Sequence, residues 1–306
     1  MKRTHFLSSQ AMLALALTAS MAQAQPAAPD YSAVEVVAHQ LTDGLYYLTG
    51  QGGNIGVSVG ADGVFIIDDQ FAPLSEKIIA AIRGISDQPI RFVFNTHHHG
   101  DHTGGNTILG TAGAVIIANE NVRINLTNGF NGGDLTKALT AEQQIGLPVI
   151  TFADTLDFHL NGQRIHALHV APAHTNGDSV VLFKEANIIH TGDVFRTTSY
   201  PRADVPGGGS LLGILAVYQT LLDISDDNTV LLPGHGVLSK RSDVQSQLAM
   251  FITIRDRVQA GITAGNTLDQ IKASKPTAEF DAQWAGGVAT AGDDFVTVFF
   301  NELSAQ

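Results

Sequence analysis

Ten residues constrain this chain more than any others: Thr96-His97-His98-His99-Gly100-Asp101-His102-Thr103-Gly104-Gly105, placed directly after a strand-like run at 91–95. His97, His99, Asp101 and His102 put four ligand-type side chains into six residues. Neutral imidazole and carboxylate are ligands of zinc and related divalent ions. The alternating pair His97 and His99 can address one ion, and the adjacent pair Asp101 and His102 can turn towards a second. His98, at the intervening position, is expected to point away. Gly104 and Gly105 permit unusual backbone angles where the chain enters its next element. A fold that uses this segment has to end a strand at a turn and bring further ligands there from distant parts of the chain.

Three downstream residues meet that requirement. His174 lies in Ala173-His174-Thr175-Asn176-Gly177-Asp178, Asp193 in His190-Thr191-Gly192-Asp193, and His235 in Leu232-Pro233-Gly234-His235-Gly236. Each follows an apolar strand-like run and sits beside a turn residue, as expected of side chains converging on one rim of a sheet pair. Asp68 ends the run Val64-Phe65-Ile66-Ile67, which reads as a buried strand delivering a carboxylate at its C-terminal end. His39, His159 and His166 read as surface or strand residues. His169 and His190 read either as supports of nearby ligands or as core. The chain contains no cysteine, which excludes disulfides, thiolate ligands and a cysteine nucleophile.

Strand-like runs at 34–37, 45–48, 55–59, 64–67, 91–95 and 113–118 are accompanied by helical patterns at 75–85 and 120–126, a loop at 128–134 and a short helix after it. A second set of strands at 149–152, 155–160, 164–170, 179–183 and 188–191 leads into helices at 211–224 and 239–258, with a strand at 230–232 between them. Helical patterns at 267–274 and 293–303 close the chain. Two sets of strands that each lead into helices predict two packed sheets with helices outside both, a four-layer α/β arrangement.

The histidine cluster and the three downstream residues together resemble the metallo-β-lactamase superfamily, whose signature is an HxHxDH cluster followed by distant His, Asp and His ligands. The likeness runs from Asp68 to His235 in the family's order. It implies a four-layer αββα sandwich carrying a two-metal site. Carried over, His97, His99 and His174 hold the first ion, Asp101, His102 and His235 hold the second, and Asp193 bridges them. Asp68 matches the carboxylate that orients the histidine loop. The implied cofactor is two Zn2+, with iron or manganese as alternatives. Two such ions about 3.5–4 Å apart ionise a shared water near neutral pH, and Asp101 is the catalytic candidate that orients this water and shuttles its proton.

The implied function is a dizinc metallo-hydrolase cleaving an activated acyl bond with that hydroxide, β-lactams first, lactones or thioesters as the alternative. Asp193 stands where many β-lactamases of this fold place cysteine, and so fits the lactonase and thioesterase branches. Lys272 and Lys275 do not reproduce the basic pattern of hydroxyacylglutathione hydrolases. Arg196, three residues after Asp193, is the candidate for a substrate carboxylate, and Tyr200 for hydrogen bonding to a tetrahedral intermediate. The stretches 206–209 and 128–134 are expected at the substrate rim. A competing class is a mononuclear-iron oxidoreductase resembling persulfide dioxygenases, against which Asp101 and His235 complete a second site. A non-enzymatic exported metal-binding protein is a third.

Residues 1–24 read as a secretory signal: Lys2 and Arg3, an apolar run at 11–17, and the cleavage site Ala22-Gln23-Ala24. The run is too short to span a bilayer, which takes about 20 apolar residues. The expected product is an exported protein, periplasmic or secreted, free of the membrane after cleavage. Residues 25–306 are expected to form one catalytic domain with a helical tail after Gly236. A formal charge of −12 and 7% aromatic residues disfavour a nucleic-acid partner. The expected partner is a small acyl substrate, and the sequence sets no oligomeric state.

Overall fold

The structure, a computed structural model, describes residues 29–134, 136–170 and 172–306. The expected signal segment lies outside the described residues. The first sheet runs in chain order: β1 (Val37–Thr42), β2 (Leu45–Thr49), β3 (Ile55–Ser58), β4 (Val64–Ile67), β5 (Ile90–Asn95), β6 (Val115–Asn119) and β7 (Ile150–Phe152). β1 to β4 are antiparallel, and β4 to β7 are parallel. The second sheet contains β8 (Thr155–Leu160), β9 (Gln163–His169), β10 (Ser179–Phe183), β11 (Ile188–Gly192) and β12 (Val230–Pro233), in the order β12-β11-β10-β9-β8. Only its β11–β12 pair is parallel.

The α-helices are α1 (Ser75–Arg83), α2 (Gly100–Thr103), α3 (Asn106–Thr111), α4 (Glu120–Asn131), α5 (Ala141–Ile145), α6 (Leu211–Ile224), α7 (Arg241–Thr263), α8 (Leu268–Ala273), α9 (Ala278–Trp284) and α10 (Ala291–Ser304). Alternation along the strands sorts them into layers, because successive strand side chains point to opposite faces. Val64 and Ile66 of β4 pack with Ile78 and Ile82 of α1. Their neighbours Phe65 and Ile67 face inward, with Phe94 and Ile117, onto Ile165, Val181 and Phe183 of the second sheet. Val180 and Leu182, on the other face of β10, meet Ile214 and Leu221 of α6, Phe251 of α7 and Phe299 of α10. Helix, sheet, sheet, helix is therefore the layer order, and residues 31–306 make one compact unit.

Several elements depart from the sequence-based expectation, the short helices α2 and α3 after the histidine cluster among them. The first strand begins at Val37 rather than at 34, because the Asp43-Gly44 turn fixes the hairpin register Val37↔Thr49 and Val34 and Val36 pack as irregular chain. The expected loop at 128–134 is helical as far as Asn131 and ends on Gly132 in the left-handed region at φ +66°. Helix α9 was not anticipated; tertiary burial of Trp284 holds its seven residues. Among the described residues no helix is long and apolar enough to cross a membrane.

Candidate metal centre

Strand polarity gathers the polar residues on one rim. β4 and β5 are parallel, so Asp68 and the 97–102 segment leave the first sheet at the same end. β11 and β12 are parallel as well, which brings Asp193 and His235 out side by side. His174 sits in the connection between β9 and β10, and α2 carries Asp101 and His102.

The hydrogen bonds decide which nitrogen each imidazole offers. Thr96 donates its hydroxyl to Asp68 Oδ2 at 2.8 Å, so His97 Nδ1–H donates to Thr96 Oγ1 at 3.1 Å. His99 Nε2–H donates to Asp204 Oδ2 at 2.9 Å, and His174 Nδ1–H donates to the Arg202 carbonyl at 2.6 Å. Their opposite nitrogens, His97 Nε2, His99 Nδ1 and His174 Nε2, therefore face one another as bare lone pairs. His99 Nδ1 and His174 Nε2 are 3.0 Å apart, and ligand atoms of all three residues lie within 4.8 Å of one another. Burial, followed by the charges of His102 and His174, drives the His97 pKa well below its usual value; burial takes His174 down to about 4.

A second group lies against the first. His102 Nδ1–H donates to Asp68 Oδ2 at 2.7 Å, which turns its Nε2 towards His235 Nε2 at 3.3 Å and Asp101 Oδ2 at 3.7 Å. His235 Nε2 is 3.1 Å from Asp101 Oδ2. Asp193 stands between the groups, 3.3 Å from His102 and His235 and 3.7 Å from His174. Burial opposes charge on His102, but Asp193 and Asp68 outweigh it and raise its pKa well above the usual range. His235 is likewise raised to about 8 against burial by its bonds to Asp101 and Asp193. Asp101 is taken down to about 2, its burial outweighed by His235 and His102.

This donor set fits divalent cations. His97 Nε2 and Asp193 Oδ1 are enclosed and lack a hydrogen-bond partner, a costly condition for buried polar atoms. Each of the first three imidazoles has its other N–H held by a fixed acceptor, as metal-binding histidines do. The backbone makes room for this. A Cβ on Gly53 would strike the His102 ring, and one on Gly234 would strike Asp193 Oδ1.

Of the two substrate candidates, neither hydroxyl nor guanidinium bonds to this cluster. Tyr200 is 5% exposed, stacks on Phe295 and donates its O–H to Asp281 at 2.8 Å. It is a core residue, and the expectation that it hydrogen-bonds an intermediate is corrected accordingly. Arg196 donates from Nη2 to Thr198 Oγ1 at 3.4 Å and lines a cavity that shares no residue with this cluster. The 206–209 stretch does reach the rim: a Cβ on Gly207 would meet His98. His98 joins neither donor group that meets at Asp193, in line with its expected orientation. It rests 3.9 Å from Asp204, with Asn125 donating to its Nδ1 at 3.3 Å.

Sequence reasoning missed several supports. Asp204 holds His99 from a loop with no periodic signal. Asp178 accepts from the Thr175 amide and hydroxyl at 2.8 and 2.7 Å and so fixes the turn that carries His174; it closes the motif around His174 and was within reach of inspection. Asn54 Nδ2 donates to the Pro233 carbonyl at 2.8 Å and to the Gly236 carbonyl at 3.1 Å, pinning the His235 loop. The Asn54 carbonyl accepts from His190 Nε2 at 3.0 Å, so His190 supports the site from the core.

Comparison with known proteins agrees with this geometry. The family model of the metallo-beta-lactamase superfamily matches residues 48–235. A comparison with curated proteins gives no match. Among solved structures, the metallo-beta-lactamase from Pontibacter korlensis has a TM-score of 0.59 at 18% identity, covering 71% of this chain and 99% of that one. The DIM-1 metallo-beta-lactamase has a TM-score of 0.59 at 17% identity, covering 72% of this chain and 99% of that one. The likeness to these two structures is one of fold. Fold, clustered imidazoles and carboxylates, and the match spanning most of both sheets lead to one conclusion: the chain belongs to the metallo-beta-lactamase superfamily.

Proposed function

We propose that this chain is an exported metal-dependent hydrolase that uses two zinc ions to open an activated acyl bond. β-Lactams are the first substrate class and lactones or thioesters the second. The observation that supports the reading is the pair of donor groups meeting at Asp193. His97, His99 and His174 would hold one ion, and Asp101, His102 and His235 the other, with Asp193 shared. When bound, such cations polarise the scissile carbonyl and bring the pKa of a bound water to about 7. Asp101 is the proton carrier. Its Oδ2 lies within the second donor group, 3.1 Å from His235 Nε2, its side chain is 26% exposed, and it stays ionised at neutral pH. Its Oδ1 is thereby free to orient a water and accept its proton. The backbone holds Asp101 in place, since its carbonyl accepts from Gly53 N–H at 3.0 Å.

The two solved structures compared above are metallo-beta-lactamases, which supports testing β-lactams first. The carboxylate at Asp193 supports the second class. Export rests on the leader at 1–24, and residues 25–306 are taken as one catalytic domain. The test is a hydrolysis screen of the zinc-loaded mature chain on a cephalosporin, a homoserine lactone and an acyl thioester. Turnover of one class, with a loss of about 10²-fold or more in Asp101→Ala and in His174→Ala, supports the proposal. No turnover of any class, or one bound iron in place of two zinc ions, overturns it.

A further inference from the structure

A cavity of about 640 Å³ is lined on one side by the 196–203 loop and shares no lining residue with either donor group. Its other wall comes from the C-terminal segment, beyond the stretch matched by the family model. Apart from Asp294 that wall is apolar, with Val288, Phe295 and Val298 lining the space. The loop wall brings Arg196 and Arg202. Among the described residues no carboxylate pairs with Arg196. Among the described residues its one side-chain hydrogen bond is the long contact to Thr198. Asp294 is the one acidic residue of the lining, and it does not balance two guanidinium groups. A guanidinium left without a carboxylate beside an apolar wall calls for a ligand with an anionic head and a hydrocarbon body.

We propose that this cavity binds a small amphipathic carboxylate, its head on Arg196 and Arg202 and its chain against Val288, Phe295 and Val298. This site is separate from the hydrolytic one and does not depend on it. It nonetheless adjoins it through the chain, since the same loop supplies the Arg202 carbonyl to His174 and leads directly to Asp204.

Trp284 is the single tryptophan of the chain, and it directly precedes the lining residue Ala285. Its fluorescence therefore reports occupancy. Octanoate and, as an uncharged control, octanol are titrated into the metal-free and the zinc-loaded protein, with calorimetry giving the stoichiometry. The expected result is saturable binding of one octanoate per chain in both forms, at least about tenfold tighter than octanol. Arg196→Gln is expected to weaken octanoate about tenfold or more and to leave octanol unchanged. Arg202→Gln, on the exposed lip, gives a smaller loss in the same direction. The proposal is overturned by equal affinity for octanol, by an unchanged octanoate affinity in both arginine variants, or by binding confined to the zinc-loaded form, which would place the carboxylate on the metal. Absence of saturable binding up to about 5 mM also overturns it.

Discussion

At the scale of single residues, the candidate metal centre commits one nitrogen of His97, His99, His174 and His102 so that the other is presented. Asp204 does this for His99, and its removal should act on one ion only. Asp204→Ala is expected to lower affinity for the first cation about 10- to 100-fold, with the second cation retained, as read by competition with a chelator. Asp204→Asn, which still accepts a hydrogen bond, should fall between. Equal loss of both ions, or of neither, contradicts this assignment. Protons compete with cations differently in the two groups. Buried His174 stays neutral down to about 4 and burial holds His97 well below its usual value, so these two offer lone pairs without releasing protons. His235, held at about 8 by Asp101 and Asp193 against the effect of burial, must give up a proton first. Zinc titrations at stepwise lower pH should therefore show the second ion weakening from about pH 8 downward and by more than the first; parallel weakening is the contrary result. The candidate ligands were legible because each is a distinctive residue in a turn-like segment that follows a strand-like run. Asp204 was not, because its role exists only through proximity to a histidine 105 residues away in sequence.

At the scale of elements, the strands are placed by apolar runs whose alternate side chains face different layers. Continuous runs such as 64–67 and 179–183 could be read as buried on both faces from composition alone, and the structure places them so. The edges were less legible. The hairpin turn after Thr42, and not hydrophobicity, sets where β1 begins, and a helix can run through Gly129 when Asn119 caps it by accepting from the Asn121 amide. The connection between sheets also depends on a residue with no pattern. Asn54 lies just before β3 and ties the end of β12 to it. Asn54→Ala leaves two carbonyls unpaired and is expected to cost about 1–3 kcal/mol of stability. Because the freed loop carries His235, the second zinc should also dissociate faster while the first is kept. A denaturant midpoint and zinc release rate equal to those of the parent chain contradict this role. Phe65→Ala, in the layer between the sheets, should cost about 3–5 kcal/mol without changing the zinc count of the protein that folds.

At the scale of the whole molecule, neither sheet holds a complete site. The first sheet and its loops contribute His97, His99, Asp101 and His102, and the second contributes His174, Asp193 and His235, so the chemistry exists only where the two sheets pack. The segment after residue 235 contributes none of these ligands, yet α7 and α10 cover the outer face of the second sheet through Phe251, Phe295 and Phe299. The four-layer order was legible in the succession of strands and helices. The contribution of the C-terminal helices to a cavity was not, since it arises from their packing against the 196–203 loop. The most direct test of the account is the number of zinc ions retained per chain, measured by elemental analysis after excess metal is removed, in the parent protein and in His97→Ala and His235→Ala. The account predicts two ions in the parent and about one in each variant, a different one in each case. A single ion in the parent, or two ions retained in His235→Ala, would contradict it.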